Sequence, residues 1–260
     1  MGKYEEKKPS RQQQKLSKQQ TLYNTVKFVS GENFITIEDT ALLETENMVE
    51  LLRFLMQDPQ IKAAPNLSIL VNEKFPKQVG SFLLNNGFRF TDERINVYKK
   101  LSTVSYEKTD FRFQSLNSLK KEEFVRIWEK SMQNTLNPSS ALNMEELMNS
   151  VQKELGANYK DSCVVAFEGE NPIGVVMPHM EPGTREEGRL FYFGIIPAER
   201  NKGKSRELHY QALWMLKNYF KASYYIGSTS SKNIPMLKTF LRNGCVIKER
   251  NKVYRRNQVV

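Results

Sequence analysis

The sequence predicts a mixed α/β protein, its sheet flanked by helices, in which a smaller unit precedes a larger one. Three observations carry this. An apolar run, Leu190 to Ile196, leads through a basic turn into a stretch with Leu208, Ala212, Met215, Leu216 and Tyr219 on one helical face. Short apolar strands alternate with helix-length amphipathic stretches in both halves. The order of elements also recurs: Phe34 matches Leu190, Leu67 matches Tyr224, Gly87 matches Gly244 and Tyr98 matches Tyr254, at offsets of 156, 157, 157 and 156 residues.

Residues 1–20 are rich in lysine and glutamine and bury too little apolar surface to offset ordering entropy, so they read as a poorly ordered basic tail, or a frayed helix docked elsewhere. The first unit spans 25–105. Val26–Val29 and Phe34–Ile37 read as strands around a Gly31 turn. Thr45 to Gln57 reads as a helix capped by Thr45, with Met48, Leu51, Leu52 and Leu55 inward. Leu67–Val71 is a buried strand and Pro76–Asn85 a helix stopped at Asn86-Gly87. Phe88–Phe90 and Arg94–Lys99 read as an antiparallel pair.

The second unit spans 108–260. It opens with a strand, Phe111–Leu116, and a helix near Lys120–Gln133, capped by Asn117 or Ser118, with Phe124, Ile127, Trp128 and Met132 inward. A loop at 136–141 leads to a helix, Met144–Leu155, whose Asn143 and Glu146 form a capping box. Ser162–Phe167 and Pro172–Met177 pair as a hairpin, and a long turn, His179–Gly188, leads into the Leu190 strand. Gly194 marks either a packing accommodation or a bulge in that strand.

Composition bounds the function. A net charge of +10 with a pI near 9.4 attracts polyanions, whether nucleic acid, an anionic surface or a phosphorylated small molecule. Cys163 and Cys245 sit in apolar surroundings and read as buried free thiols, not a disulfide framework. No stretch reaches the length of a membrane span and no secretory leader is legible, so a cytoplasmic protein without membrane contact is expected. Two scattered histidines give no metal-ligand spacing, and finger, helix-turn-helix and RNP signatures are absent from the sequence.

The turn after Ile196 is Arg200-Asn201-Lys202-Gly203-Lys204-Ser205. At the N-terminus of a helix, unpartnered N–H groups and the macrodipole favour an anion, and Gly203 permits close approach. The spacing is neither a Walker loop, since Ala198 stands where the first glycine belongs, nor GxGxxG; it fits Arg/Gln-x-x-Gly-x-Gly/Ala. Downstream lies Asn233-Ile-Pro-Met236-Leu-Lys-Thr-Phe240-Leu-Arg-Asn-Gly244-Cys. Together the two segments resemble the acyl-coenzyme A half of the GNAT superfamily of N-acetyltransferases, over about 111–256. Ser205 and Phe240 depart from the pattern, which has Gly/Ala at the first position and often tyrosine at the second. The first unit has Glu38-Asp39-Thr-Ala-Leu-Leu-Glu44 in place of the basic loop, so it reads as a degenerate GNAT-like copy that repels a pyrophosphate.

The resemblance implies acetyl-coenzyme A as co-substrate, transfer of an acetyl or short acyl group to an amine on a small molecule or peptide, and a coenzyme site at Ile195, Ile196, Arg200 to Ser205, Asn233 and Phe240. The N–H of Ile195 is a candidate donor to the developing oxyanion. Phenylalanine at 240 cannot supply the proton that a departing thiolate takes up, which leaves Tyr224 or Tyr225, an unaided thiolate, or a domain that no longer catalyses. Candidates for removing the amine's proton are His179 and, through water, Tyr192; His209 is expected on an exposed helix face. The Glu181, Glu186, Glu187 cluster reads as a solvated turn that would, if functional, attract a cationic amine. Two other readings stand beside the enzyme: a non-catalytic coenzyme-binding regulator and, from charge alone, an RNA-associated protein.

Overall fold

The computed structural model describes residues 11–31, 34–136 and 142–257, with the side chains of 11–15 left aside. It is a mixed α/β protein whose mixed sheet is flanked by helices. The chain divides into two compact units, 1–94 with 249–260, and 95–248.

In the first unit the order is α1 (Arg11–Thr25), β1 (Lys27–Ser30), β2 (Phe34–Glu38), α2 (Thr45–Gln57), α3 (Pro59–Ala63), β3 (Asn66–Asn72), α4 (Lys77–Asn85) and the start of β4 (Arg89–Lys100). The lysine- and glutamine-rich stretch read as a tail is therefore helical from Arg11, and Leu22 anchors it in the core. Residues 1–10 of that stretch lie outside the described residues. Met48, Leu51, Leu52 and Leu55 of α2 are buried, as their spacing predicts, although Glu44 and not Thr45 is the N-cap. β1 and β2 are antiparallel; β2 and β3 run parallel from Phe34↔Asn66 to Ile37↔Ile69. On its other side β3 pairs antiparallel with the end of the chain, from Asn251↔Asn72 to Asn257↔Asn66.

A buried hydroxyl ties this unit shut where β2 ends. Thr40 Oγ1 donates to the Leu70 carbonyl at 2.7 Å and accepts from the Asn72 N–H at 3.2 Å. Thr40→Val keeps the shape but strands a buried donor and acceptor, so it is expected to cost about 1–3 kcal/mol in urea unfolding. An unchanged unfolding midpoint would show that the hydroxyl contributes nothing.

In the second unit the end of β4 is followed by β5 (Phe111–Ser115), α5 (Lys121–Met132), α6 (Met144–Leu155), α7 (Tyr159–Ser162), β6 (Val164–Glu168), β7 (Asn171–Met180), β8 (Glu187–Ile195), α8 (Lys204–Asn218), β9 (Tyr224–Ser230), α9 (Ile234–Arg242) and the start of β10 (Val246–Asn257). Strand order is β9-β8-β7-β6-β5. β5 to β8 are antiparallel neighbours, and β8 runs parallel to β9. The Asn143–Glu146 capping box opens α6 as the sequence predicts. α5 is capped at Lys120, not Asn117 or Ser118. Most of the 136–141 loop lies outside the described residues.

Several expectations are corrected. Phe88–Phe90 and Arg94–Lys99 are not a pair but parts of one strand, β4, since the polar residues between them stay extended. The unit boundaries differ from 25–105 and 108–260: β4 passes into the second unit at Ile95, and the first unit takes back β10 from Glu249. The turn after β7 is shorter than expected, because β7 extends through His179 to Met180. The irregularity in the central strands lies between Val176 and Pro178, opposite Phe193 and Leu190, so β8 carries the extra residue there and Gly194 pairs regularly with Val175. Cys163 and Cys245 are buried free thiols, each pushed up to about 12, chiefly by burial. Among the described residues no helix is long and apolar enough to cross a membrane.

Candidate active site

β8 and β9 pair at Glu187↔Tyr224 and Gly188↔Tyr225, and there the pairing ends. Beyond this point each strand has an edge facing an opening. The register of β7 and β8 determines which groups of β8 face it. Ile196 donates its N–H to the Ile173 carbonyl at 3.0 Å, so the next pair, Gly174↔Ile195, is of the non-bonded kind. The backbone N–H and C=O of Ile195, and likewise of Phe193, therefore point away from β7 into the opening. Ile195 thus keeps its N–H for a ligand. Ile196, buried and already bonded, does not.

The opening runs into the loop 196–203 and the first turn of α8. Asn201 (φ 61°) and Gly203 (φ 78°) both adopt left-handed backbone, which turns successive N–H groups to one side as an anion-binding concavity. Gly203 is the N-cap of α8, and the first N–H groups of the helix have no intrahelical acceptor. A Cβ on Gly203 would meet nothing within 4 Å, so the space before the loop is open. In front lies a cavity of about 460 Å³, within the ordinary range of small-molecule sites. Its walls come from the end of α5 and the residues after it (Ser131, Asn134 to Leu136), the end of β8 (Phe193 to Ile195), the loop and α8, and α9 (Met236, Lys238, Thr239, Arg242).

The loop's own cations are engaged elsewhere. Arg200 spends its guanidinium on carbonyls, donating from Nε to Ile195 (2.9 Å), from Nη1 to Asn134 (2.8 Å) and from Nη2 to Ser131 (3.0 Å) and Gln133 (2.7 Å). A cation at the carbonyl end of α5 is favourably placed in that helix's dipole. Lys204 bonds Glu168 and Glu199, each at 2.7 Å, and Lys202 bonds Glu199 at 3.1 Å. Those hydrogen bonds hold the Glu199 carboxyl below the usual carboxylate range and push Lys204 up. With its pKa depressed on folding, Glu199 contributes stability above its unfolded pKa, lost as pH falls through the folded value. Arg200 apart, whose guanidinium is taken up by carbonyls, the cavity's cations without an ion-pair partner among the described residues are Arg206, Lys238 and Arg242. Their signal in the sequence was only i, i+4 spacing on α9 and a place in α8's first turn. Glu199→Gln would free Lys202 from its ion pair, leave Lys204 with Glu168 alone and remove a negative charge from the cavity wall, so acetyl-coenzyme A is expected to bind several-fold more tightly by calorimetry. Weaker binding would mean that Glu199 organises the loop.

The other predicted residues are divided between the cavity and the core. Ser205 lines the cavity, its hydroxyl 3.2 Å from that of Thr239. Asn233 also lines it and caps α9, accepting from the Met236 N–H. Phe240 is buried, edge-on to His209 and near Tyr225, and is not among the lining residues. Tyr192 sits behind the wall, 2.9 Å from Ser131 Oγ, its phenol pushed up by burial. His209 is not on an exposed face: it is fully buried, with Nδ1 2.9 Å from the Asn243 amide and Nε2 3.5 Å from the Tyr225 hydroxyl. Burial holds it down at about 3, so it stays neutral at neutral pH. Tyr225 is raised well above the usual phenol value, also by burial. His179 lies away from the cavity, buried on β7.

No family model and no curated protein matches this sequence. Solved structures do. A GCN5-related N-acetyltransferase from Sphaerobacter thermophilus shares 10% identity at a TM-score of 0.60, over 89% of this chain and 76% of its own. A tandem GNAT protein from the clavulanic acid biosynthesis pathway, also 10% identical, superimposes at 0.59 over 89% of this chain and 78% of its own. A functionally unknown conserved protein from Staphylococcus epidermidis, 15% identical, does so at 0.58 over 82% and 81%. The chain has the fold of the GNAT acetyltransferases.

Proposed function

We propose that this protein transfers an acetyl or short acyl group from coenzyme A to an amine. The observation that carries the reading is the opening between β8 and β9, which presents the Ile195 and Phe193 backbone and ends at the left-handed Asn201–Gly203 loop before α8. A pyrophosphate belongs at that loop, held by N–H groups and neutralised by Arg206, Lys238 and Arg242; an extended acyl-bearing arm belongs in the opening, bonded to strand backbone. The N–H of Ile195 faces that arm.

The first unit, on this reading, is a copy without a coenzyme site. Its counterpart strands β2 and β3 pair over four residues where β8 and β9 separate, Thr40 bonds across the end, and the connection carries Glu38 and Asp39 in place of a basic loop. Phe240, locked among His209 and Tyr225, favours a second reading in which the second unit binds the coenzyme without turning it over.

Titration calorimetry with acetyl-coenzyme A, desulfo-coenzyme A and a short RNA tests the proposal, followed by free-thiol release in the presence of amines. One site per chain for both coenzymes, with thiol release, is expected. Binding without release from any amine would select the second reading, and binding of RNA alone would remove both.

A further inference from the structure

Two residues of β8, Gly194 and Tyr192, are fitted to one another at the wall of the cavity. Gly194 lines it. An ideal Cβ on Gly194 would lie 2.3 Å from the Tyr192 hydroxyl oxygen, so the phenol takes the space that a side chain at 194 would fill. The irregular pairing of β7 and β8 brings Tyr192 there. Between Val176↔Phe193 and Pro178↔Leu190 two residues of β8 oppose one of β7, and a bulge of this kind re-aims a side chain. Phe191 and Tyr192 consequently pack into the same core cluster as Trp128 of α5, whereas Leu190 and Phe193 pack with Leu208 and Ala212 of α8.

The phenol is fixed in this position. The Ser131 hydroxyl gives its one hydrogen to the Trp128 carbonyl at 2.7 Å, so at its 2.9 Å contact with Tyr192 it accepts and the phenol donates. Ser131 is held in turn, its carbonyl accepting from Arg200 at 3.0 Å. The Tyr192 ring stands edge-on to Trp128, centroids 5.7 Å apart, and Trp128 is itself buried. Behind the phenol, therefore, lies packed core. In front of it lies the Ile195 N–H. An acyl oxygen accepting from that group puts the acyl carbon about 4 Å from the Ile195 nitrogen, which is bonded to the carbonyl carbon of Gly194. Phe193 fills the α8 side of the strand, its ring centroid 5.8 Å from that of His209. The bare face of Gly194 is left for the carbons beyond the carbonyl, and the Tyr192 hydroxyl stands over it.

Resting on the acyl-transfer reading above, we propose that Tyr192 is a ruler for the acyl group, admitting acetyl and turning away longer chains such as hexanoyl. A packed interior does not make room for added methylenes without strain. To pass the phenol, a hexanoyl chain has to break its hydrogen bond to Ser131 and drive the ring off Trp128. The alternative is to withdraw the arm from the β8 backbone and leave the chain in water. Either course weakens binding. Gly194 belongs to the same device, since a side chain there would displace the phenol from its place.

The test is titration calorimetry of the full-length protein with desulfo-coenzyme A, acetyl-coenzyme A and hexanoyl-coenzyme A, each acyl affinity being read against desulfo-coenzyme A in the same protein. Wild type is expected to bind hexanoyl-coenzyme A about tenfold or more weakly than acetyl-coenzyme A. Tyr192→Ala clears the wall back to Trp128. It should bring hexanoyl to the affinity of acetyl or beyond, since each methylene then buried raises affinity about fourfold. Tyr192→Phe removes only the oxygen over Gly194, and its discrimination should fall between the two, which keeps the series readable even if the alanine protein does not fold. Equal affinities of wild type for the two acyl coenzymes, or a discrimination lowered by neither substitution, would overturn the ruler and leave the coenzyme site standing. Failure of wild type to bind desulfo-coenzyme A would instead remove the coenzyme reading, and the ruler with it.

Discussion

Gly203→Asp is expected to weaken acetyl-coenzyme A binding at least 100-fold while leaving the protein folded. The backbone at this position is left-handed, φ 78°, and a side chain would enter open space. The substitution therefore meets no clash within the fold, and its backbone cost is about 1–2 kcal/mol, less for aspartate than for most residues. The open space, however, is where an anion would approach the first N–H groups of α8. A carboxylate there replaces an attraction with a repulsion in a partly desolvated cavity, where two like charges at close range cost several kcal/mol. Gly203→Ala separates the two effects, since it carries at least as much backbone strain without charge. Calorimetry of both variants should find the alanine protein close to wild type and the aspartate protein without measurable heat. Equal affinities in the two would mean that no phosphate group sits at this loop.

Arg200→Lys is expected to lower stability by about 2–4 kcal/mol and to weaken coenzyme binding as a consequence. The guanidinium serves four carbonyls, Ile195, Ser131, Gln133 and Asn134, and such charge-assisted bonds are worth about 1.5–3 kcal/mol each when well shielded. Their partial exposure brings the sum down. An ammonium is a point charge that cannot span the fork, so lysine would recover one or two of these bonds. The segment after α5 forms a wall of the cavity, and it would lose its tie to β8. Urea unfolding followed beside coenzyme calorimetry should show both losses. A stable protein with impaired binding would mean instead that Arg200 contacts the ligand directly.

Arg200 also shows where the sequence stops being legible. Its position after a strand and before a glycine-bearing helix start is a local pattern, and the loop, the strand and α8 follow from it. What its charge does is decided by carbonyls more than sixty residues earlier in the chain. Lys204 is similar: Glu168, 36 residues away, takes one of its bonds, and nothing local announces that pairing. Local patterns held well where one helix face or one cap decided the matter, as in α2 and in the Asn143–Glu146 box of α6. They failed at His209, a polar residue within an apolar stripe, because the buried face of α8 is wide enough to take in Gln211 as well. They failed again at β4, where exposed Thr91 and its polar neighbours looked like a turn but form ordinary extended strand. The surroundings of His179 were half visible: Glu181 and Glu187 read as a solvated turn, and only the β7–β8 register sets His179 against Arg189, which they flank.

The repeat in the sequence suggests two modules that could be separated, and the strands say otherwise. Ile95, Val97 and Leu101, at the end of the first repeat in the sequence, are core residues of the second unit, whereas Tyr254, at the end of the second repeat, belongs to the core of the first. A fragment ending near residue 105 would leave β3, buried along most of its length, without its antiparallel neighbour on one side, and bare apolar edges of this kind recruit other chains. The chain is thus not divisible between the two repeats. Each half completes its hydrophobic interior with material encoded by the other, so a frameshift or proteolytic cut between them would cost both halves at once. The first unit cannot be shed without opening the core of the second.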